Sequence, residues 1–146
     1  VPGARLLLVG DRPTRQMRAQ AGAHDTITGR VEDVGPYVDA ASLVALPIRL
    51  GGGMRVKLLE ALAAGKAVVA SPVAAAGLEL ADGEQLVLAD TDEQFATAIA
   101  RLLGDPGARV RLGAAAREWA LANLSWEDRA RRYEQLYRRL LGGAVG

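Results

Sequence analysis

Three consecutive glycines between an apolar run and an amphipathic segment are the first residues of this 146-residue chain that promise chemistry. The stretch Pro47-Ile48-Arg49-Leu50-Gly51-Gly52-Gly53-Met54-Arg55-Val56-Lys57 leaves an expected strand at 43–46 and enters a segment with helical spacing at 54–64. Glycine lets the backbone turn tightly and lets a ligand approach it closely. A helix that follows presents N–H groups without intrahelical partners and the positive end of its dipole. The combination outlines an anion site, to which Arg49, Arg55 and Lys57 add charge suited to a phosphate. Glu60 stands seven positions beyond Gly53. At 1.5 Å per residue that is roughly 10 Å along the helix, a span that links a pyrophosphate to a ribose. A carboxylate there can accept from both hydroxyls of a diol. It can equally be a surface residue paired with Lys57 three positions earlier, which stabilises a helix by only a few tenths of a kcal/mol. On the residues alone both readings stay open.

Common nucleotide fingerprints do not fit this loop. A dinucleotide motif needs a glycine where Val56 stands, and a P-loop ending in Gly65-Lys66 needs glycine in place of Glu60 and Ser or Thr in place of Ala67. Neither a dehydrogenase nor an ATPase is supported. A phosphate-accepting α/β receiver, suggested by Asp11 and Ser71, needs an Asp at the end of the third strand, where Pro47 stands. His24, the single histidine, has no second ligand type near it in sequence and reads as a surface or capping residue. Cysteine is absent, which removes thiolate catalysis, disulfides and Cys-type zinc sites.

The elements that must position these residues alternate. Short apolar runs at 5–9, 25–28, 43–46, 67–70 and 86–89 read as strands, the first of them continuously apolar and expected to be buried on both faces. Helical spacing fills 13–21, 33–41, 54–64 and 92–103, the last opened by Asp90-Thr91-Asp92-Glu93. This order predicts an α/β fold: a Rossmann-like doubly wound parallel sheet of about five to six strands, with helices on both faces and right-handed crossovers. In such a sheet ligands bind beyond the carboxyl ends of the strands, here 10–13, 29–33, 47–55 and 71–79. Two terminal helices follow at 106–122 and 125–141. The second opens on a capping-box pattern, Ser125-Trp126-Glu127-Asp128, and carries a stripe of Trp126, Ala130, Tyr133, Tyr137, Leu140 and Leu141 that calls for a cover.

Composition bounds the rest. With 18 Lys+Arg against 17 Asp+Glu the net charge is +1, no footprint for nucleic acid. The charge is uneven: residues 1–103 carry ten basic and twelve acidic groups, and 104–146 carry eight and five. No apolar run approaches the ~20 residues that span a bilayer. The chain reads as one domain, cytoplasmic, and, beginning at Val1, as a piece of a longer protein.

The stretch Gly51-Gly52-Gly53-Met54-Arg55-Val56-Lys57-Leu58-Leu59-Glu60-Ala61-Leu62-Ala63-Ala64-Gly65-Lys66-Ala67-Val68-Val69-Ala70 resembles the donor-binding stretch of the family 4, group 1 retaining glycosyltransferases. The resemblance continues through Ala76-Gly77-Leu78, Asp82-Gly83-Glu84, Phe95-Ala96 and Ser125-Trp126, and so covers essentially the whole chain. It implies the carboxyl-terminal, sugar-nucleotide-binding half of a GT-B fold, with the amino-terminal acceptor domain outside residues 1–146. By the same resemblance Glu60 is the second Glu of the family's Glu, seven residues, Glu motif and holds the ribose. The first Glu falls on Gly52, which leaves the backbone of Gly51, Gly52, Gly53 and Met54, with Arg55 and Lys57, for the diphosphate and sugar. Gly29, Arg30 and Val31 match the base-binding turn, and Gly10 and Asp11 the first strand end of the cleft.

The implied activity is hexosyl transfer from a UDP- or GDP-linked sugar to a glycan or lipid-linked acceptor in polysaccharide biosynthesis, without a metal, a further cofactor or an assigned catalytic nucleophile. The fragment alone is expected to be inactive. The last helix is expected to meet the other domain through Tyr133 and Tyr137, with Trp126 packed on this domain or on that one. Arg129, Arg131, Arg132, Arg138 and Arg139 make either a solvated face or a peripheral contact with anionic lipid at the inner face of the membrane. Two alternatives stand beside this reading. One is a degenerate interaction domain, for which Gly52 in place of Glu argues. The other is half of a sugar-nucleotide 2-epimerase, whose Ser-Gly-Gly loop with paired Glu is not matched by Leu50-Gly51-Gly52.

Overall fold

A computed structural model describes residues 1–51 and 55–142. Along the chain run β1 (Leu6–Val9), α1 (Arg15–Gln20), β2 (Asp25–Gly29), α2 (Gly35–Ala40), β3 (Val44–Leu46), α3 (Val56–Ala63), β4 (Val68–Ala70), α4 (Pro72–Ala75), β5 (Val87–Leu88), α5 (Asp92–Gly104), α6 (Pro106–Asn123) and α7 (Trp126–Gly142). Local chemistry fixes the helix starts. The Thr91 hydroxyl and the Gln94 side chain cap each other's backbone at the head of α5. The Asp105 carboxylate accepts from the Ala108 amide at 2.8 Å, with Pro106 in the first turn of α6. The four-residue α4, which was not expected from the sequence, is opened by Ser71 followed by proline.

Every strand pairing is parallel. β1 pairs with β2, and β3, β4 and β5 pair in that order; among the described residues no pairing joins the two groups. β4 is buried along its whole length, and its alternation divides the core. Val68 and Ala70 pack with Leu58, Ala61 and Leu62 of α3 and Ala116 and Ala120 of α6. On the other face Val69 packs with Phe95, Ala98 and Leu102 of α5. Helices therefore cover both faces of the β3–β5 group. α3 and α6 approach so closely that a Cβ at Gly113 would overlap the carbonyl oxygen of Gly65.

The expectation for residues 5–9 is corrected. Leu6 is 50% and Leu7 39% exposed, and no residue of 1–42 is buried. Burial on both faces needs a layer on each, and α1 and α2 bury no residue. Lys66 ties this part to the rest: its ammonium donates to the carbonyls of Asp39 at 2.7 Å and Ala41 at 3.3 Å, where the dipole of α2 favours a cation. The packing of Trp126 on its own domain is corrected too, because it is 84% exposed, and Tyr133, Tyr137, Leu140 and Leu141 are exposed with it. At the head of α7 the Ser125 hydroxyl donates to the Glu127 carboxylate at 2.8 Å.

Candidate functional site

Among the described residues Gly10 and Asp11 follow β1, Gly29, Arg30 and Val31 lie at the end of β2, Gly51 lies beyond β3, and Lys57 and Glu60 lie in α3. The Gly10 amide donates to the Gly29 carbonyl at 3.3 Å, which sets the first two strand ends side by side. Gly29 has φ +73°, and a Cβ there would meet nothing within 4 Å. Glycine is required at that turn by the left-handed backbone and not by crowding, so space remains above the strand end. The Thr28 hydroxyl steadies the turn by donating to the Gly29 carbonyl at 2.8 Å. Arg30 is exposed and Val31 half-buried. Asp11 is spent locally, accepting from the Arg12 amide at 2.9 Å and lying 3.6 Å from the Arg12 guanidinium. His24 is exposed, as expected for a surface residue.

The exit of β3 is held by Ser71, which the sequence suggests only as part of a receiver and at the start of the strand-end segment 71–79. Among the described residues Ser71 is the one buried polar residue; its hydroxyl donates to the Ile48 carbonyl at 2.6 Å and accepts from the Ala74 amide at 3.1 Å. The Leu46 carbonyl also accepts from the Ser71 amide at 3.2 Å. One side chain thus caps α4 and fixes the start of the glycine-rich turn. The signal was present as Ser-Pro after an apolar run, the signature of a helix start. Beyond Ile48 the chain moves outward, with Leu50 91% exposed and Gly51 exposed. Gly52, Gly53 and Met54, the centre of the expected anion turn, lie outside the described residues.

Arg55 precedes α3, and its Nε donates to the Val73 carbonyl at 3.0 Å, fastening the head of α3 to α4. Lys57 and Glu60 are both exposed on α3, whose buried residues are Leu58, Ala61 and Leu62. Among the described residues Glu60 is not ion-paired to Lys57, so the reading of a mere surface pair loses its contact. Arg49 departs from expectation. Its guanidinium lies 2.7 Å from Asp92 and 3.6 Å from Asp90, and 5.8 Å above the Phe95 ring. It clamps the exit of β3 to the head of α5 instead of adding charge to the anion turn, because two carboxylates at a helix start compete for it. Glu93, at that same helix start, has its carboxyl held below the usual range by its own backbone amide and by the Thr91 hydroxyl.

A hollow of about 590 Å³, bordered by Gly83, Gln85, Arg101, Asp105 and Arg111, opens where the chain enters β5 and passes from α5 to α6. It lies at the amino ends of the strands, opposite the edge where α/β sheets bind ligands.

Residues 1–105 match the family described as glycosyl transferases group 1. The chain is 39% identical over 106 residues to a phosphatidyl-myo-inositol mannosyltransferase of Mycobacterium tuberculosis, covering 68% of this chain and 28% of that protein. It is 32% identical over 146 residues to the GDP-mannose-dependent alpha-(1-6)-phosphatidylinositol monomannoside mannosyltransferase of the same organism, covering 89% of this chain and 38% of that protein. The solved structure of sucrose-phosphate synthase from Thermosynechococcus elongatus aligns with a TM-score of 0.79 at 29% identity, covering 99% of this chain and 40% of that one. The chain spans well under half the length of each. With a family match over more than half its residues, parallel strands flanked by helices and these relatives, the chain belongs to the group 1 glycosyltransferases.

Proposed function

We propose that residues 1–146 are the nucleotide-sugar donor-binding half of a retaining, GT-B glycosyltransferase that transfers a hexosyl group from an NDP-sugar to a glycan or lipid-linked acceptor. The observation that carries this reading is the exit of β3, where Ser71 fixes the Ile48 carbonyl, together with Glu60, which stands exposed on α3 and is not ion-paired to Lys57 among the described residues. The backbone of Gly51, Gly52, Gly53 and Met54, with Lys57 and the amino end of α3, takes the diphosphate. Arg55 anchors the head of α3 to α4. Glu60 accepts from the ribose hydroxyls, the turn at Gly29, Arg30 and Val31 meets the base, and Gly10 and Asp11 border the cleft. When the bond from the sugar to the diphosphate breaks, negative charge grows on the leaving oxygen. A helix dipole and a cation already aimed there stabilise it without reorganisation, which favours the transition state over the bound donor.

The acceptor and the remaining groups come from another part of the full-length protein, so this chain alone is inactive. The relatives named for mannosyl transfer to phosphatidylinositol, one of them GDP-mannose-dependent, favour GDP over UDP and a lipid-linked acceptor. Arg131, Arg138 and Arg139, exposed on α7, offer charge to anionic lipid. No helix among the described residues is long and apolar enough to cross a membrane.

Titration of the chain with GDP, UDP, ADP and free pyrophosphate, read by thermal shift and amide chemical shifts, tests the site. A ligand at 100 times its Kd adds about 2.7 kcal/mol, a rise of roughly 5–10 °C for a domain near this size. GDP should stand out, and Glu60→Ala should reduce it to the level of pyrophosphate. If every diphosphate behaves like pyrophosphate, or none binds at millimolar concentration, the assignment of the ribose to Glu60 is wrong.

A further inference from the structure

The hollow beside the entry to β5 and the turn from α5 to α6 has no part in the donor cleft. Val87, Leu102 and Leu112 line it, and all three are buried. Ala108 and Ala115 share a face of α6 with Leu112, and their methyl groups leave the space open. Its volume of about 590 Å³ lies within the range of small-molecule pockets, about 300–1,000 Å³.

Two arginines border this apolar lining. Arg101 and Arg111 are exposed, and among the described residues neither guanidinium has a hydrogen bond or an ion pair. Neighbouring arginines are committed elsewhere. Arg109 donates to the carbonyls of Leu102 and Leu103 at the end of α5, and Arg117 donates to the Ala63 carbonyl. The two acids on the lining are engaged as well: Asp105 accepts from the Ala108 amide, and Glu84 accepts from the Gln85 side-chain amide at 3.4 Å.

Arg111 stands where a helix does not favour it. A Cβ at Gly107 would lie 3.4 Å from its Nη1, so the guanidinium reaches back over the first turn of α6, and glycine leaves it room. The dipole there is positive and disfavours a cation. Asp105 offsets part of that charge, with a carboxylate oxygen 3.3 Å from the same Cβ, but it is not ion-paired to Arg111. An anion with an apolar body would satisfy both halves of such a site.

We propose that this hollow binds a small organic oxyanion, a phosphate monoester or carboxylate carried on an apolar body. The body lies against Val87, Leu102 and Leu112, and Arg101 and Arg111 hold the charged end, for which a guanidinium fork is suited. The inference does not rest on the donor reading, because the hollow opens at the amino ends of the strands.

Titration of the 146-residue chain with α-naphthyl phosphate, α-naphthoate, neutral α-naphthylmethanol and inorganic phosphate, followed by amide chemical shifts, tests this. Saturable shifts are expected at Val87, Leu102, Ala108 and Leu112 with the naphthyl anions, and the tighter of the two names the charged end. The neutral compound and inorganic phosphate should each bind about tenfold more weakly. Arg101→Met and Arg111→Met, which keep an apolar stem, should each raise the Kd about tenfold, the worth of a charge-assisted hydrogen bond. Both side chains are exposed, so these variants keep the fold and leave the GDP titration unchanged. Ala115→Leu fills part of the hollow without touching either charge and should also weaken binding. The proposal is overturned if neither anion shifts these amides, if the neutral compound binds as tightly, or if binding survives the arginine substitutions. Shifts at Gly29, Val31 and Glu60 instead would put the anion in the donor cleft and overturn it too. The two sites report through different amides, so failure here and failure of the GDP titration are separate results.

Discussion

β1 and β4 are both short, apolar and parallel, and they end in opposite environments. Val68, Val69 and Ala70 are sealed between α3 and α6 on one face and α5 on the other, with a strand along each edge. Leu6, Leu7, Leu8 and Val9 have a partner on one edge and no buried residue among them. The sequence of β1 is the more hydrophobic of the two. Burial is thus set by what the neighbours bring, and no residue of 1–42 is buried. Cooperative stability should lie in 43–125, while the first strands open at lower free energy.

Truncation of a leucine gives the widest test of that contrast. Leu62→Ala removes a side chain that is 0% exposed and should cost about 2–5 kcal/mol. Leu6→Ala, at a half-exposed position, should cost about 1 kcal/mol. Denaturant unfolding of the two variants measures the difference, and equal losses would mean that the two layers form one core.

Two glycines sharpen the same point. Gly113→Ala gains about 1 kcal/mol of helix propensity but drives a Cβ into the Gly65 carbonyl, so that α6 must shift from α3. Overpacking dominates, and a net loss of about 2 kcal/mol is expected, read as a fall in Tm of roughly 4–8 °C. Gly29→Ala meets no atom within 4 Å and should cost only about 1 kcal/mol, the strain of its positive φ. Next comes Ser71→Ala, which loses a helix cap and leaves the Ile48 carbonyl without its hydroxyl donor. It should cost about 2 kcal/mol in thermal unfolding. It should also weaken GDP binding, because the turn it fixes leads into Gly51.

Much of this was legible from residue patterns. Five strands and six of the helices lie within about two residues of their expected ends, because alternation of apolar runs with capped, amphipathic segments is a local property. α4 was missed because four residues carry too little periodicity to register. The exposure of Leu6 and Leu7 was not legible, since it depends on how little α1 and α2 pack on β1, which the strand's own residues do not record. For the site, the turn at Gly29 and the exposed Glu60 stand where spacing placed them. The role of Ser71 and the diversion of Arg49 depend on contacts 23 and 43 residues away, which no local pattern records.

Arg49 gives the smallest effect, and it separates a cation that shapes the site from one that binds in it. Its ion pairs with Asp90 and Asp92 are exposed on both sides, so solvent and salt screen them and Arg49→Ala should change stability by less than about 1 kcal/mol. The contact of the exposed guanidinium with the buried Phe95 ring adds little. If the guanidinium is committed to the head of α5, its removal should leave the Kd for GDP unchanged within twofold. Lys57→Ala, on the exposed face of α3, should raise that Kd several-fold at low salt. A large loss of GDP affinity in Arg49→Ala would show that the arginine leaves its carboxylates when nucleotide arrives. The clamp between β3 and α5 would then be a feature of the empty site, and the anion turn would hold the three cations that its sequence first suggested.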